Sequence, residues 1–356
     1  IARSDDQQVL ARAIVLSFMD KRCPELLKCC FKLRTQSADT MEELFAQNSL
    51  AKYIIQDIIM FTSRAYVKEM LGPSLKKVMS LKKNLSPDPR TNSMSEETKA
   101  KLGEIIRDSI TDFVQSAELM PIELKRIILF AQKKLDRKWP PTGASPLSNI
   151  ISFLFSHIII PATAQPHIWG ISKEPHTSDS GRTSIVLNKV YRMIAAGSQF
   201  DSASPLSAFN VPAKKYQSKL KDFIELILNS VTPEDRNVPL RPIENPSTEV
   251  TNAAFQVLHH CLFIWKDAIL EYRNSLSNVP VAEARIFFDM MGILEELELI
   301  DGKPECIPDF VILGMDKTTK PPSKATMRRP TPGNVASSSS GGDRPYVRQL
   351  SEKWNR

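Results

Sequence analysis

Apolar positions along this chain return every three or four residues, segment after segment, the spacing of helices with one buried side. Residues 6–32 read as a helix, or a helix pair broken near Pro24, with Val9, Leu10, Ala13 and Ile14 and then Leu26, Leu27 and Phe31 on the apolar side. Residues 33–40, LRTQSADT, are polar and aperiodic and read as a loop. Residues 41–52 lead into a long helix through Ile54, Ile55, Ile58, Ile59 and Phe61, and 82–95, with Pro87 and Pro89, form a polar connection. Further helices are expected over 96–115, from Met120-Pro121 to Trp139, and over 182–199 with Ile185, Val186, Val190, Ile194 and Ala195 inward. Residues 214–230, 250–272 and 281–300 complete the helical set, while 172–181 and the proline-rich 232–246 read as loops. No segment alternates over six or more residues, so no strand is predicted.

Residues 149–160 break this pattern. Ile150, Ile151, Phe153, Leu154, Phe155, Ile158, Ile159 and Ile160 leave no polar face, which places the segment at the centre of a domain. The apolar run is too short to cross a bilayer, which takes about 20 residues. Its one ionisable residue, His157, needs a hydrogen-bond partner if buried. Pro161 supplies no N–H and restricts Ile160, so the helix is expected to end there.

Charge changes the picture once it is located. The net charge is +7, but residues 314–356 hold nine Lys and Arg against three Asp and Glu, leaving the remaining body almost neutral. A basic nucleic-acid face on the folded part is therefore not supported, and Lys133, Lys134, Arg137 and Lys138 read as a solvated helix face. The aperiodic Ser/Pro-rich stretch 314–356 reads as a disordered tail after a helical domain over 1–313. That tail could be weakly attracted to anionic lipid, and an inert solubilising role fits it equally. Cys23, Cys29, Cys30, Cys261 and Cys306 form no C-x-x-C pair and read as reduced core thiols of a cytosolic protein. His259 and His260 are adjacent, point apart on a helix and read as structural rather than metal-binding. There is no signal-peptide pattern, no G-x-x-x-x-G-K-[ST], no H-E-x-x-H and no G-x-S-x-G. The chain opens on Ile1 and reads as a piece of something longer.

Two segments carry a resemblance. MEELFAQNSLAK is similar to the L-F-R-x-N-S-L-A signature of Ras GTPase-activating proteins, with Leu44, Phe45, Asn48, Ser49, Leu50 and Ala51 matching. The central segment resembles the family's F-L-R-x-I-x-P-A-I helix through Phe155, Ile159, Pro161 and Ala162. Residues 116–140, ending in a K-W-P motif, and the helix from Arg182, with Lys189 kept and Arg192 and Met193 replacing a polar pair, also look like the family. These segments follow the family's order from about residue 11 to 230.

The resemblance implies an all-α, Ras-GAP-like multi-helix domain with a buried central helix. It implies a groove for a Ras-family small GTPase in its GTP form, with Phe45, Ala46, Gln47, Asn48, Ser49, Lys52, Lys189 and Arg192 as contacts. Leu44, Leu50, Ala51, Phe155, Pro161, Ala162 and Arg182 would be its structural signature. No cofactor is implied for this chain, since GTP and Mg belong to the partner. The expected location is the cytoplasm, with the inner face of the plasma membrane as the place where the tail would meet lipid.

Both signature arginines are absent. Ala46 occupies the position of the arginine finger, and His157 that of the arginine thought to steady the finger loop. A guanidinium neutralises charge growing on phosphate oxygens during hydrolysis, and a methyl group does not. Three readings stay open: a module that binds a GTPase but scarcely accelerates hydrolysis, an active one using another arginine such as Arg34 in the 33–40 loop, and a helical scaffold that binds no GTPase. Because the two arginines would act together, returning arginine at position 46 alone is expected to recover less than returning both.

Overall fold

The computed structural model describes residues 4–18, 23–88, 90–140, 147–233, 247–265, 267 and 269–271. Within them every regular element is a helix and no strand occurs. The tail over 314–356, the expected helix over 281–300 and Cys306 lie outside the described residues. The chain divides into two units, Ile1–Ala11 with Phe18–Asn245 and Arg12–Ser17 with Pro246–Arg356. In the second, helix α11 (Thr248–Ile264) buries Ala253, Ala254, Val257, Leu258 and Cys261, one stripe at helical spacing.

Helix α1 (Ser4–Ser17) has residues assigned to each unit; α2 (Cys23–Ser37) belongs to the first, so the sequence forms two helices here and Pro24 sits in the first turn of α2. The expected loop at 33–40 is largely helix. Arg34 continues the buried stripe of Cys23, Leu27, Cys30 and Phe31, and its polarity in the sequence disguised the helical phase. A short helix α3 (Met41–Ala46) precedes the long α4 (Leu50–Met79), which packs against α2, α5 (Glu96–Gln115) and α6 (Ile122–Lys138). The connection after α4 is pinned by Leu85 N–H donating to Thr183 Oγ1 at 2.9 Å.

The central segment is buried as expected, but it does not stop at Pro161. Helix α7 (Ser148–Leu154) passes through a π-helical turn (Phe155–Ile159) into α8 (Ile160–Ala164). In the turn, Ile160 N–H donates to Phe155 O. A proline in an ordinary α-helix clashes with the carbonyl four residues back. One wider turn just before Pro161 shifts the bonding pattern there and lets the helix continue.

Two aromatic strings cross the core from this segment. Phe153 meets Phe31 (5.6 Å between ring centroids), which meets Phe130 edge-on at 5.3 Å. Phe155 meets Phe113 and Tyr191, and Phe113 packs on Phe223 at 4.6 Å. Helices α9 (Ser178–Ala196) and α10 (Asn210–Asn229) complete the first unit. The expectation that Ile185 faces inward fails: it is 59% exposed and shares a stripe of α9 with Arg182, Lys189 and Arg192. Of the described cysteines, Cys23, Cys30 and Cys261 are buried thiols, whereas Cys29 is exposed rather than in the core.

The loop after α8 turns at Gly170, whose φ of 67° lies in the left-handed region. A Cβ there would also come 3.1 Å from the Arg64 guanidinium, whose flexible end can yield. Gly170→Ala is therefore expected to cost about 1–2 kcal/mol, mostly from backbone conformation. A lower urea midpoint at unchanged m-value would register it.

Candidate functional site

The site is built around the elbow between α3 and α4. Thr40 starts α3 with a capping box: Glu43 N–H donates to Thr40 Oγ1 at 3.1 Å, and Thr40 N–H donates back to Glu43 Oε2. The same carboxylate accepts Asp39 N–H at 2.9 Å. Asp39 O in turn accepts the indole N–H of Trp139 at 3.0 Å, fastening the base of the elbow to the end of α6. Ala46 is the last residue of α3; Gln47 and Asn48 follow in the open, and Ser49 caps α4 by accepting Lys52 N–H at 3.3 Å.

Two cations hold the elbow from within. Lys52 Nζ donates to Phe45 O and to Asn48 Oδ1, both at 3.1 Å. Arg34 Nη1 donates to Ser49 Oγ at 3.2 Å, and Arg34 itself is only 4% exposed. Arg34 thus sits in the last turn of α2 beneath the elbow, not in a solvated loop. Burial, with Arg34 and Arg192 nearby, pushes the Lys52 ammonium down to about 8, and burial also lowers the Arg34 guanidinium.

His157 lies below this pair. Its ring packs on Phe153 (4.5 Å) and reaches Phe45 edge-on at 6.3 Å. Nδ1 is 3.0 Å from Phe153 O, which supplies the partner a buried imidazole needs. Burial drives the imidazole down to about 3, and the charges of Lys52 and Arg34 act in the same direction. It is neutral at physiological pH and turned toward its own helix.

Beside the elbow runs a groove of about 670 Å³. Phe45, Asn48 and Lys52 line it from the elbow, Arg192 from α9, and Phe155 and Pro161 from the central segment. The structure thus gathers six of the sequence-derived site residues around one concavity. Gln47 and Lys189 are exposed without lining it, and Ser49 and Ala51 are half-buried. Leu44 and Ala162 are core residues, Leu50 is half-buried, and Arg182 is exposed. Met193, read as a replaced contact beside Arg192, is buried on the other side of α9.

Gln56, Ser152 and Ser156 also line the groove and were not anticipated. Gln56 is one turn beyond Lys52 on the same face, so helical spacing could have found it; the serines carry no comparable signal. Among the described residues lining the groove there is no carboxylate, so it presents Lys52, Arg192 and neutral polar groups. Such a surface suits an acidic protein face and offers no nucleophile with a paired base. Among the described residues no cluster of three or more His, Cys, Asp or Glu is placed to hold a metal ion, and no helix is long and apolar enough to cross a membrane.

No protein-family model matches the chain. It is 23% identical over 300 residues to human Ras GTPase-activating protein 1, covering 82% of this chain and 27% of that protein. It is 21% identical over 182 residues to a probable Ras GTPase-activating-like protein, ngap, of Dictyostelium discoideum, covering 50% of this chain and 21% of that one. Human Disabled homolog 2-interacting protein is 23% identical over 220 residues, 61% of this chain and 17% of its own length. The chain therefore spans about a quarter or less of these relatives. A weak similarity that runs through most of the chain, on an all-helical fold, supports a Ras-GAP-like family.

Proposed function

We propose that this chain is a Ras-GAP-like regulatory module whose groove receives a Ras-family small GTPase in its GTP form, with little or no acceleration of hydrolysis. The observation that carries the reading is the meeting of Phe45, Asn48 and Lys52 from the elbow with Arg192 from α9 around one groove whose described lining holds no acidic side chain. GTP and Mg belong to the partner, and this chain supplies only a surface. Binding draws on the whole groove, whereas acceleration depends on a group that acts in the transition state, so the first can persist without the second.

The Arg34 reading is disfavoured by geometry, because that guanidinium is buried and bonded to Ser49. The tail remains a candidate for weak contact with anionic lipid, which would place the module at the inner face of the plasma membrane.

Binding of several Ras-family GTPases, loaded with a GTP analogue or with GDP, tests the proposal. At least one is expected to bind preferentially in the GTP-analogue form. Arg192→Glu is expected to weaken that binding about tenfold or more, roughly 1.4 kcal/mol, through reversed charge in the groove. Absence of binding across the panel would leave the scaffold reading in its place.

A further inference from the structure

We propose that Lys52 and Arg34 are the positioning residues of the elbow, fastening the backbone around Ala46 from the α4 and α2 sides in place of any hydrogen bond from position 157. The proposal rests on the functional reading above for its consequence, but its geometry does not depend on a partner.

Phe45 O is one of the last carbonyls of α3; the C-cap amide of Gln47 goes to Glu43 O, so Phe45 O takes its partner from a side chain. A cation is the favoured partner for a helix C-terminus, and Lys52 Nζ occupies that place at 3.1 Å. The same ammonium holds Asn48 on the far side of Ala46, so one side chain bridges both flanks of the finger position. Ser49 Oγ closes the arrangement by accepting from both Lys52 N–H and Arg34 Nη1. His157 takes no part: its Nδ1 is directed to Phe153 O and only its ring meets Phe45. Among the described residues neither cation has an ion-pair partner, and Arg34 and Arg192 both oppose the charge on Lys52. An apolar side chain at position 52 would avoid that repulsion, so the lysine's contribution is local to the elbow and not to overall stability.

One consequence reverses the expectation from the sequence. If the elbow is already held, the missing activity lies in the missing guanidinium alone, and Ala46→Arg should work without arginine at position 157. Four variants test this: Lys52→Met, Ala46→Arg, the Ala46→Arg/Lys52→Met pair and the Ala46→Arg/His157→Arg pair. Hydrogen exchange in the free chain is read at the amides of residues 47–49, alongside Tm, GTP-analogue binding and single-turnover GTP hydrolysis by the GTPase. Lys52→Met is expected to speed exchange at the elbow while leaving Tm unchanged or raised. Ala46→Arg is expected to raise hydrolysis at least about 10²-fold over the starting chain, a part of the finger's full effect. Adding Lys52→Met should remove most of that gain in the single-turnover rate, read at saturating chain so that a change in affinity does not enter, and adding His157→Arg should bring none. Unchanged exchange in Lys52→Met, or equal rates with and without Lys52 in the Ala46→Arg background, would overturn the proposal. If no GTPase binds any variant, the functional reading falls, and the exchange measurement still decides whether Lys52 fastens the elbow.

Discussion

GTP hydrolysis by a Ras-family GTPase saturated with this chain is expected to run at least about 10³-fold slower than with a finger-bearing homologue. At 1.36 kcal/mol per decade this is about 4 kcal/mol of transition-state stabilisation. The cations near Ala46 do not replace it. Lys52 is bonded to Phe45 O and Asn48, and extending it would release the elbow. Arg34 is buried under Ser49. Arg192 is exposed and lines the groove, but it is carried by α9 and not by the elbow that holds the finger position. A lysine is also a compact charge without the bidentate fork that matches phosphate oxygens. Single-turnover measurements at saturating chain separate this loss from weak binding. A rate within tenfold of the homologue would defeat the expectation, and Arg192→Ala against Arg34→Ala would then identify the group responsible.

Much of the fold was legible from apolar spacing because helices carry their buried face in their own sequence. The boundaries of α5 were read without error, and an apolar run with no polar face marked the central segment. The failures have local causes. Pro161 was read as a terminator because the rule assumes α-helical bonding up to the proline, and the π turn relaxes that assumption. Residues 33–37 were read as loop from polarity, although Arg34 falls in phase with Leu27, Cys30 and Phe31. Ile185 was read as inward although Lys189 and Arg192, four and seven residues on, share its face and are exposed.

The candidate site was legible where it was made of side chains and illegible where it was made of backbone. Phe45, Asn48 and Lys52 stood out through the signature, and Arg192 through its place on the following helix. The bond from Lys52 to Phe45 O has no sequence letter, since every residue carries a carbonyl. The bond from Arg34 to Ser49 spans fifteen positions and two elements. That is why His157 was expected to leave the elbow unsupported, and why only the structure shows what fastens it.

His157 should make the protein acid-sensitive in a range where few other groups titrate. Its imidazole is held down to about 3 by burial, reinforced by Lys52 and Arg34, against about 6.5 in an unfolded chain. Between those values the unfolded chain binds a proton that the folded one does not, so stability rises with pH there and falls as the solution is acidified. The limiting slope is about 1.4 kcal/mol per pH unit. From pH 6.5 to 4.5, before most carboxylates protonate, the loss should reach about 2 kcal/mol. His167, also lowered by burial, acts in the same direction, so the His157 share is the difference between parent and variant. Urea unfolding of the parent and of His157→Gln at pH 4.5, 5.5, 6.5 and 7.5 should give curves that converge toward low pH. Parallel curves would show that the imidazole is not held neutral in the folded chain. The same burial bears on position 157 as a place for arginine. A guanidinium there stays charged at every working pH and sits among Phe45, Phe153, Lys52 and Arg34, and among the described residues the charges that act on this position are cationic. His157→Arg is expected to cost about 3–5 kcal/mol at about pH 7.5, the scale of a buried charge left without its partner, and the gap to the parent should narrow toward about pH 5, where the parent loses the stability linked to its neutral imidazole.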